Sequence, residues 1–283
     1  MKGRIFALAF AIGFVVLFAA AAVVTYRFTE KEAEKKEETP AEEESFSLPV
    51  ESAVFLLIFE SEEEAGPFSL VALDGENGRI PVFSFPAAAV FSRQSAEATA
   101  GELFSRLSEK EFAGAVEKEF GVDVAGYFVW DEESAEKILA QTGTFDYVLP
   151  KKLHYKKDGR SIELSSGVQN MTAQKLSDIV TFPSFSETER CDVLSRILAA
   201  FFDRRLRRFL PESGDLYKTL TACTKTDVSA FDKERYQDII AVLVQKKPPV
   251  SGNVTCDTEK DAESGAVFLS EESLQRIRKY FVL

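Results

Sequence analysis

Hydrophobic and polar positions divide the chain into three stretches. The first is Ile5–Val24, twenty residues without a charge. At about 1.5 Å per residue, a helix of that length crosses a hydrocarbon core of about 30 Å. Lys2 and Arg4 precede it and mark the end that stays in the cytoplasm. A cleaved signal peptide is the alternative, and the small residues Ala19–Ala22 suit it. A signal h-region, however, runs about 7–15 residues, so the pattern predicts an uncleaved signal-anchor. Either reading exports the rest of the chain. The second stretch, Phe28–Leu48, has no sustained apolar stripe, and Glu30–Ser45 within it holds eight Glu and three Lys. It reads as a linker holding a domain off the bilayer. The expected division is a cytoplasmic stub 1–4, a transmembrane anchor 5–25, an acidic linker 26–48 and one extracellular domain 49–283. That makes a single-pass cell-membrane protein with its N-terminus inside.

The third stretch alternates strand-like and helix-like patterns. Ala53–Phe59 is a continuous apolar run of strand length, which suits a central strand covered on both faces. In Ser69–Phe91, two apolar runs flank Asp74-Gly75-Glu76-Asn77-Gly78, where glycine, asparagine and aspartate take positive φ at low cost. This predicts a β-hairpin, with pairing ending near Pro86 because proline has no N–H to donate. Thr99-x-x-Glu102 and Ser108-x-x-Glu111 are capping-box patterns that start two helices, the second stopped by Gly121. Val124–Trp130 reads as a strand. Asp131 then caps a helix over Glu132–Gln141 that buries Ile138 and Leu139. Phe145–Leu149 is a short strand, and Lys151–Ser166 a polar hairpin or loop. Further helices are expected from Thr172 to about Val180, over Glu187–Leu210 and over Lys233–Gln245. A strand at Ala266–Leu269 and a helix at Glu271–Phe281 close the pattern. Interleaved in this way, the elements predict an α/β fold, an α-β-α layered single domain with a central mixed sheet.

Charge and cysteine content narrow the function classes. The net charge is −12, so nucleic acid is excluded as the main partner. The chain has one histidine, His154, and three cysteines, Cys191, Cys223 and Cys256, whose spacing matches no zinc pattern. In an exported domain a disulfide would be Cys223–Cys256, with Cys191 free; three small buried apolar residues is the equal alternative. After Pro86 come Ala87, Ala88 and Ala89, which offer nothing to bind phosphate, hold a metal or move a proton.

The order of elements over residues 52–283 resembles the LytR-CpsA-Psr (LCP) family. Phe55–Phe59 resembles the first core strand, and Ser69–Pro86 the hairpin ending in Pro-Arg-Asp. Gly121–Trp130 resembles the Gly-Ile-Pro-Ile-Asp-Tyr-Tyr segment, and Ile138–Leu149 the helix and turn before a Val-Asp-Val-Pro strand. Gly167–Val180 resembles the Gly-x-x-x-Leu-x-Gly-x-x-Ala-Leu helix, Arg190–Ala200 the helix opening with Arg-Gln, and Thr226–Val244 the Thr-Asp-Leu region. No one motif is specific; the shared order carries the likeness. The resemblance implies a membrane-anchored protein on the outside of a Gram-positive cell. It also implies a tunnel for a polyprenyl chain and transfer of glycopolymer from a polyprenyl-pyrophosphate carrier to peptidoglycan, with Mg²⁺.

The departures from that pattern fall on the chemistry. Pro-Arg-Asp becomes Pro86-Ala87-Ala88, and an Asp expected before the first hairpin strand falls near Gly66 or Pro67. The Asp of the Ile-Asp-Tyr-Tyr segment becomes Ala125, the Arg-x-Arg pair becomes Thr181-Phe182-Pro183, and an arginine becomes Glu187. Pyrophosphate needs bidentate arginines, and Mg²⁺ needs carboxylates. The implied result is a pseudoenzyme with no catalytic residue and no cofactor. Arg190 is the residual anion contact, beside the simpler reading of a helix-start arginine paired with Glu187 or Glu189. Phe128 and Trp130, among 25 phenylalanines, are candidate tunnel lining, beside the simpler reading of core packing. Arg204, Arg205, Arg207 and Arg208 suit a helix C-terminus or, more sharply, an anionic wall polymer or lipid headgroups. Lys151, Lys152, Lys156 and Lys157 around His154 suit a solvated hairpin or a polyanion patch.

Three functions fit this pattern. The first is a regulatory or polyprenyl-lipid-binding member beside active paralogues. The second is an active transferase with Mg²⁺, its charges drawn from Arg93, Glu62–Glu64 and Arg190. The third is a recruiter of wall proteins with no lipid ligand.

Overall fold

The computed structural model describes residues 51–60, 65–92, 97–157, 159–210, 216–229 and 232–283. The expected anchor and linker lie outside the described residues, as do Glu62–Glu64 and Arg93. Among the described residues no helix is long and apolar enough to cross a membrane.

The centre is β1 (Ser52–Glu60), which pairs antiparallel with β2 (Ala65–Asp74) and parallel with β6 (Val124–Trp130). β3 (Ile80–Phe85) extends the hairpin from β2 and stops at Pro86. Beyond that turn, β4 (Val90–Phe91) and β5 (Ala98–Thr99) pair as a short antiparallel ribbon. β12 (Ser251–Val254) adds in parallel to β3, and β11 (Lys225–Thr226) antiparallel to β6, giving a mixed sheet in the order β11-β6-β1-β2-β3-β12. Side chains alternate across a strand. From β1, Ala53, Phe55 and Phe59 enter one core, and Val54, Leu56 and Ile58 the other. A run buried on both faces has to be apolar throughout, which explains the unbroken Ala53–Phe59 pattern. The hairpin turn is held by Asp74, whose buried carboxylate accepts from Asn77 N at 3.0 Å and Arg79 Nε at 2.7 Å.

One face carries α1 (Ala100–Arg106), α2 (Glu109–Phe120) and α8 (Glu271–Phe281). The other carries α3 (Glu132–Thr142), α4 (Ala173–Val180), α5 (Glu187–Arg205) and α7 (Asp232–Gln245). Both expected capping boxes form, with Glu102 N donating to Thr99 Oγ1 at 3.1 Å and Glu111 N to Ser108 Oγ at 3.3 Å. Gly121 takes φ 70° to end α2. A third box, Ser186 with Glu189, opens α5.

Several expectations are corrected. The helix-like match at Gly167–Val180 is helical only from Ala173. Gly167–Met171 is a strand, β10, pairing with β7 (Phe145–Leu149). The long helix ends at Arg205 and tightens to a 3-10 turn over Leu206–Phe209. There Arg205 turns back onto the carbonyls of Gly143, at 3.2 Å, and Thr144, so this arginine braces the end of α3. The hairpin of β8 (Leu153–Lys157) and β9 (Arg160–Leu164) forms as expected. Lysines in and beside it pair within the domain, Lys151 with Glu189 at 2.9 Å and Lys152 with Glu163. Helix α6 (Leu216–Cys223) and strand β13 (Thr258–Lys260) add to the expected elements; β13 pairs with β14 (Val267–Leu269), the strand expected at Ala266–Leu269. All three cysteines are free thiols, and Cys223–Cys256 is not a pair. Cys256 lies in the core under α1, α2 and α8, while Cys223 Sγ faces the carbonyls of Ser134 and Leu220.

Tyr147 on β7 is buried, and its hydroxyl has no hydrogen-bond partner among the described residues. Burial pushes its pKa up to about 12. Because burial disfavours the phenolate, stability does not change through this group below the unfolded value of about 10 and falls as pH rises toward 12. Tyr147→Phe is therefore expected to remove roughly 2–3 kcal/mol of alkaline destabilisation between those limits. Near neutral pH it should add about 1 kcal/mol by deleting an unsatisfied hydroxyl. Urea unfolding at a series of pH values measures both effects.

Candidate functional site: an apolar cavity and a closed edge

A half-enclosed cavity of ≈ 190 Å³ lies between the sheet and the face that carries α3, α5 and α7. The sheet contributes Phe55, Leu57, Val71, Leu73, Phe128 and Trp130 to its wall. Helix α3 contributes Ala135, Ile138 and Leu139, and α5 contributes Ile197, Leu198, Phe201 and Phe202. Leu206 and Phe209 close one side, with Tyr236 and Ile240 of α7 behind. No residue in the wall is charged. Aromatic rings stiffen it: Phe55 meets Tyr236 edge-on at 4.9 Å, and Phe201 meets Phe145 at 5.6 Å. The cavity explains a departure from expectation. Ile138, Leu139, Phe201, Phe202 and Phe209 sit on core-facing stripes, yet each remains half-buried, because each faces the cavity. A concave, apolar and largely pre-formed site of this kind suits an uncharged ligand segment. The candidate tunnel residues Phe128 and Trp130 are both in the wall.

The matched charge positions lie elsewhere. Ala87 and Ala88 occupy the turn after β3, and this turn is strapped to the start of α1. Gly101 N donates to Ala87 O at 2.9 Å, and Ala100 N to Ala89 O at 2.8 Å. The first amides of that helix, which suit an anion in other settings, are thus spent on backbone carbonyls. The segments also approach closely. A Cβ added at Gly66 or at Gly101 would stand 3.2 Å from Ala87 Cβ. Two positions where the resemblance expects charge, Gly66 and Ala87, are therefore close neighbours, both half-buried. Gly66→Asp is expected to lower stability by about 1–3 kcal/mol, because φ is +103° there and the new Cβ meets Ala87; chemical denaturation measures it.

Ala125 does not join them. It is exposed at the start of β6, whereas Ala87 follows the end of β3. β3 and β6 both run in the direction of β1, so the two alanines lie at opposite strand ends of the sheet. Glu187 begins α5 and is exposed, as is Pro183. Thr181 caps α4, donating to Ser177 O at 2.8 Å and accepting from Lys157 Nζ at 3.1 Å. Nearby, burial raises the pKa of Asp178 above the usual carboxylate range, with a hydrogen bond from Gln174 at 3.1 Å opposing it. Arg190 is half-buried and its Nε finds no hydrogen-bond partner among the described residues. Glu189, offered as a pairing partner, instead closes the capping box and binds Lys151. The Mg²⁺ that the resemblance implies finds no carboxylate at Gly66, Ala87, Ala88 or Ala125. Among the described residues no group of three or more His, Cys, Asp or Glu is arranged to hold a metal ion.

The sheet order, the helices on both faces and the cavity under one of them define an α-β-α domain with an apolar cavity. No protein-family model matches the chain, and no curated protein matches it by sequence. Solved structures do. B. subtilis TagV superposes with a TM-score of 0.64 at 13% identity, over 82% of this chain and 96% of that one. TagT bound to LI-WTA superposes at 0.62 and 13% identity, over 81% and 89%. A protein from Eubacterium siraeum described as a transcription regulator superposes at 0.71 and 16% identity, over 81% and 90%. The fold is LCP-like, shared with TagV and TagT.

Proposed function

We propose that this is a membrane-anchored, LCP-like protein of cell-envelope glycopolymer assembly that binds a polyprenyl-linked lipid and does not transfer its polymer. The observation that carries the reading is the uncharged aromatic cavity, set in the fold that TagT uses when bound to LI-WTA. The residues at the matched positions Gly66, Ala87 and Ala88 support the absence of transfer, since none is an arginine or a carboxylate. Active paralogues and anionic wall polymer are the partners this role implies. The test is to incubate residues 49–283 with a polyprenyl phosphate and weigh the complex by native mass spectrometry. One lipid per chain is the expected result. A domain that stays empty at saturating lipid leaves the wall-protein recruiter in its place.

One observation favours the active alternative. The partnerless Nε of Arg190 is suited to an anion. Its test is Arg190→Ala, which on the alternative abolishes Mg²⁺-dependent phosphate release and on the leading reading changes nothing in that assay.

A further inference from the structure

Two buried cysteines lie where α5 packs beside β12. Cys191 lies in the second turn of α5 and Cys256 just beyond β12, at 0% and 2% exposure, in the same core. Side-chain hydrogen bonds bracket them. The hydroxyls of Thr188 and Thr258 are 3.1 Å apart, and Asn253 Nδ2 donates to Asp192 Oδ1 at 2.7 Å. With 188 fixed against 258 and 192 against 253, residue 191 is held opposite 256. Both side chains belong to the same buried cluster of that core. Cys223 is remote from both, against α3.

We propose that Cys191 and Cys256 form a redox pair that closes to a disulfide, tying the start of α5 to the segment entering α8. The step is thiol–disulfide exchange with an external small-molecule disulfide. One protein thiolate attacks it, forms a mixed disulfide and releases a thiol. The second protein thiolate then displaces the other thiol. The pair loses two protons and two electrons, and the external disulfide gains them as two thiols. Burial sets the timing. Desolvation pushes the Cys191 thiol well above its usual range, aided by the neighbouring Cys256, so the closed, reduced domain exchanges slowly. The bond therefore forms while the domain folds. The proposal is independent of the cavity and its ligand.

The full chain in detergent is reduced and unfolded in guanidinium chloride, then refolded in mixed oxidised and reduced glutathione. Free thiols are alkylated, and the chain is digested without reductant for mass spectrometry. The expected result is one cross-linked peptide pair carrying Cys191 and Cys256, with Cys223 alkylated. The unfolding midpoint should rise by roughly 5–10 °C over the reduced chain. Cys223→Ser should keep the cross-link, and Cys256→Ser should leave Cys191 alkylated. If Cys256→Ser does not fold, the Cys223→Ser chain still carries the test. A refolded chain with every cysteine alkylated, or cross-linked through Cys223, overturns the proposal.

Discussion

Ala135→Phe is expected to lower lipid occupancy of the domain by about tenfold or more, a change of at least ~1.4 kcal/mol in binding. Ala135 is buried on α3, and its methyl group is part of the cavity wall. The backbone there is fixed by the Asp131 cap, which accepts from Ser134 N and Oγ, both at 2.7 Å. A phenyl ring grown from this position enters the ≈ 190 Å³ space instead of displacing packed atoms. The penalty to the fold should therefore stay at or below the ~1–3 kcal/mol usual for added bulk. Titration with a polyprenyl phosphate, read by native mass spectrometry, gives occupancy, and urea unfolding gives stability. Val168→Phe, on the exposed face of β10, serves as the bulk-matched control and should bind as the parent does. Equal occupancy in all three proteins would place the lipid elsewhere.

The second large effect is on stability. Phe85→Ala is expected to remove about 3–5 kcal/mol. Phe85 is fully buried at the end of β3 and packs at 5.5 Å from Phe68, 6.0 Å from Phe91 and 5.1 Å from Phe120, edge-on in the last case. Those rings come from β2, from β4 after the Pro86 turn and from α2, so truncation opens a void where three elements meet. Domains of this kind hold about 5–15 kcal/mol in all, so this loss is a large fraction of the total. The thermal midpoint should fall by roughly 10 °C. A shift of a degree or two would mean that this core relaxes into the void, and that the Ala87 turn is less tightly built than its contacts indicate.

Local signals in the sequence carry much of the fold. The unbroken Ala53–Phe59 run marks a strand covered on both faces. The Thr99–Glu102 and Ser108–Glu111 boxes locate helix starts to the residue, because a cap is made by side chains three positions apart. β10, β11 and β12 are short and carry little pattern of their own. Their place is decided by β7, β6 and β3, and for β11 and β12 those partners lie far away in sequence. The break at Arg205 likewise depends on carbonyls at 143 and 144. The expected Cys223–Cys256 pairing fails for the same reason, since spacing says nothing of which strand end meets α5.

The cavity is legible in the sequence only as a surplus of phenylalanine. Which of those rings fill a core and which line a space depends on packing between layers. Phe85 and Phe201 look alike in the sequence, yet one is sealed and the other half-exposed. The departures from the resemblance at Ala87, Ala88 and Glu187 can be read from residues. The closing of the Gly66–Ala87–Gly101 edge cannot, because it rests on three backbone segments coming together.

The most direct test combines binding and turnover in one sample. Residues 49–283 are mixed with a short polyprenyl pyrophosphate and Mg²⁺, and phosphate release and bound lipid are followed together. The expected result is lipid bound at one per chain with phosphate release no faster than in buffer. Release that rises with Mg²⁺ would contradict the account and require charges from outside the Gly66–Ala87–Gly101 edge.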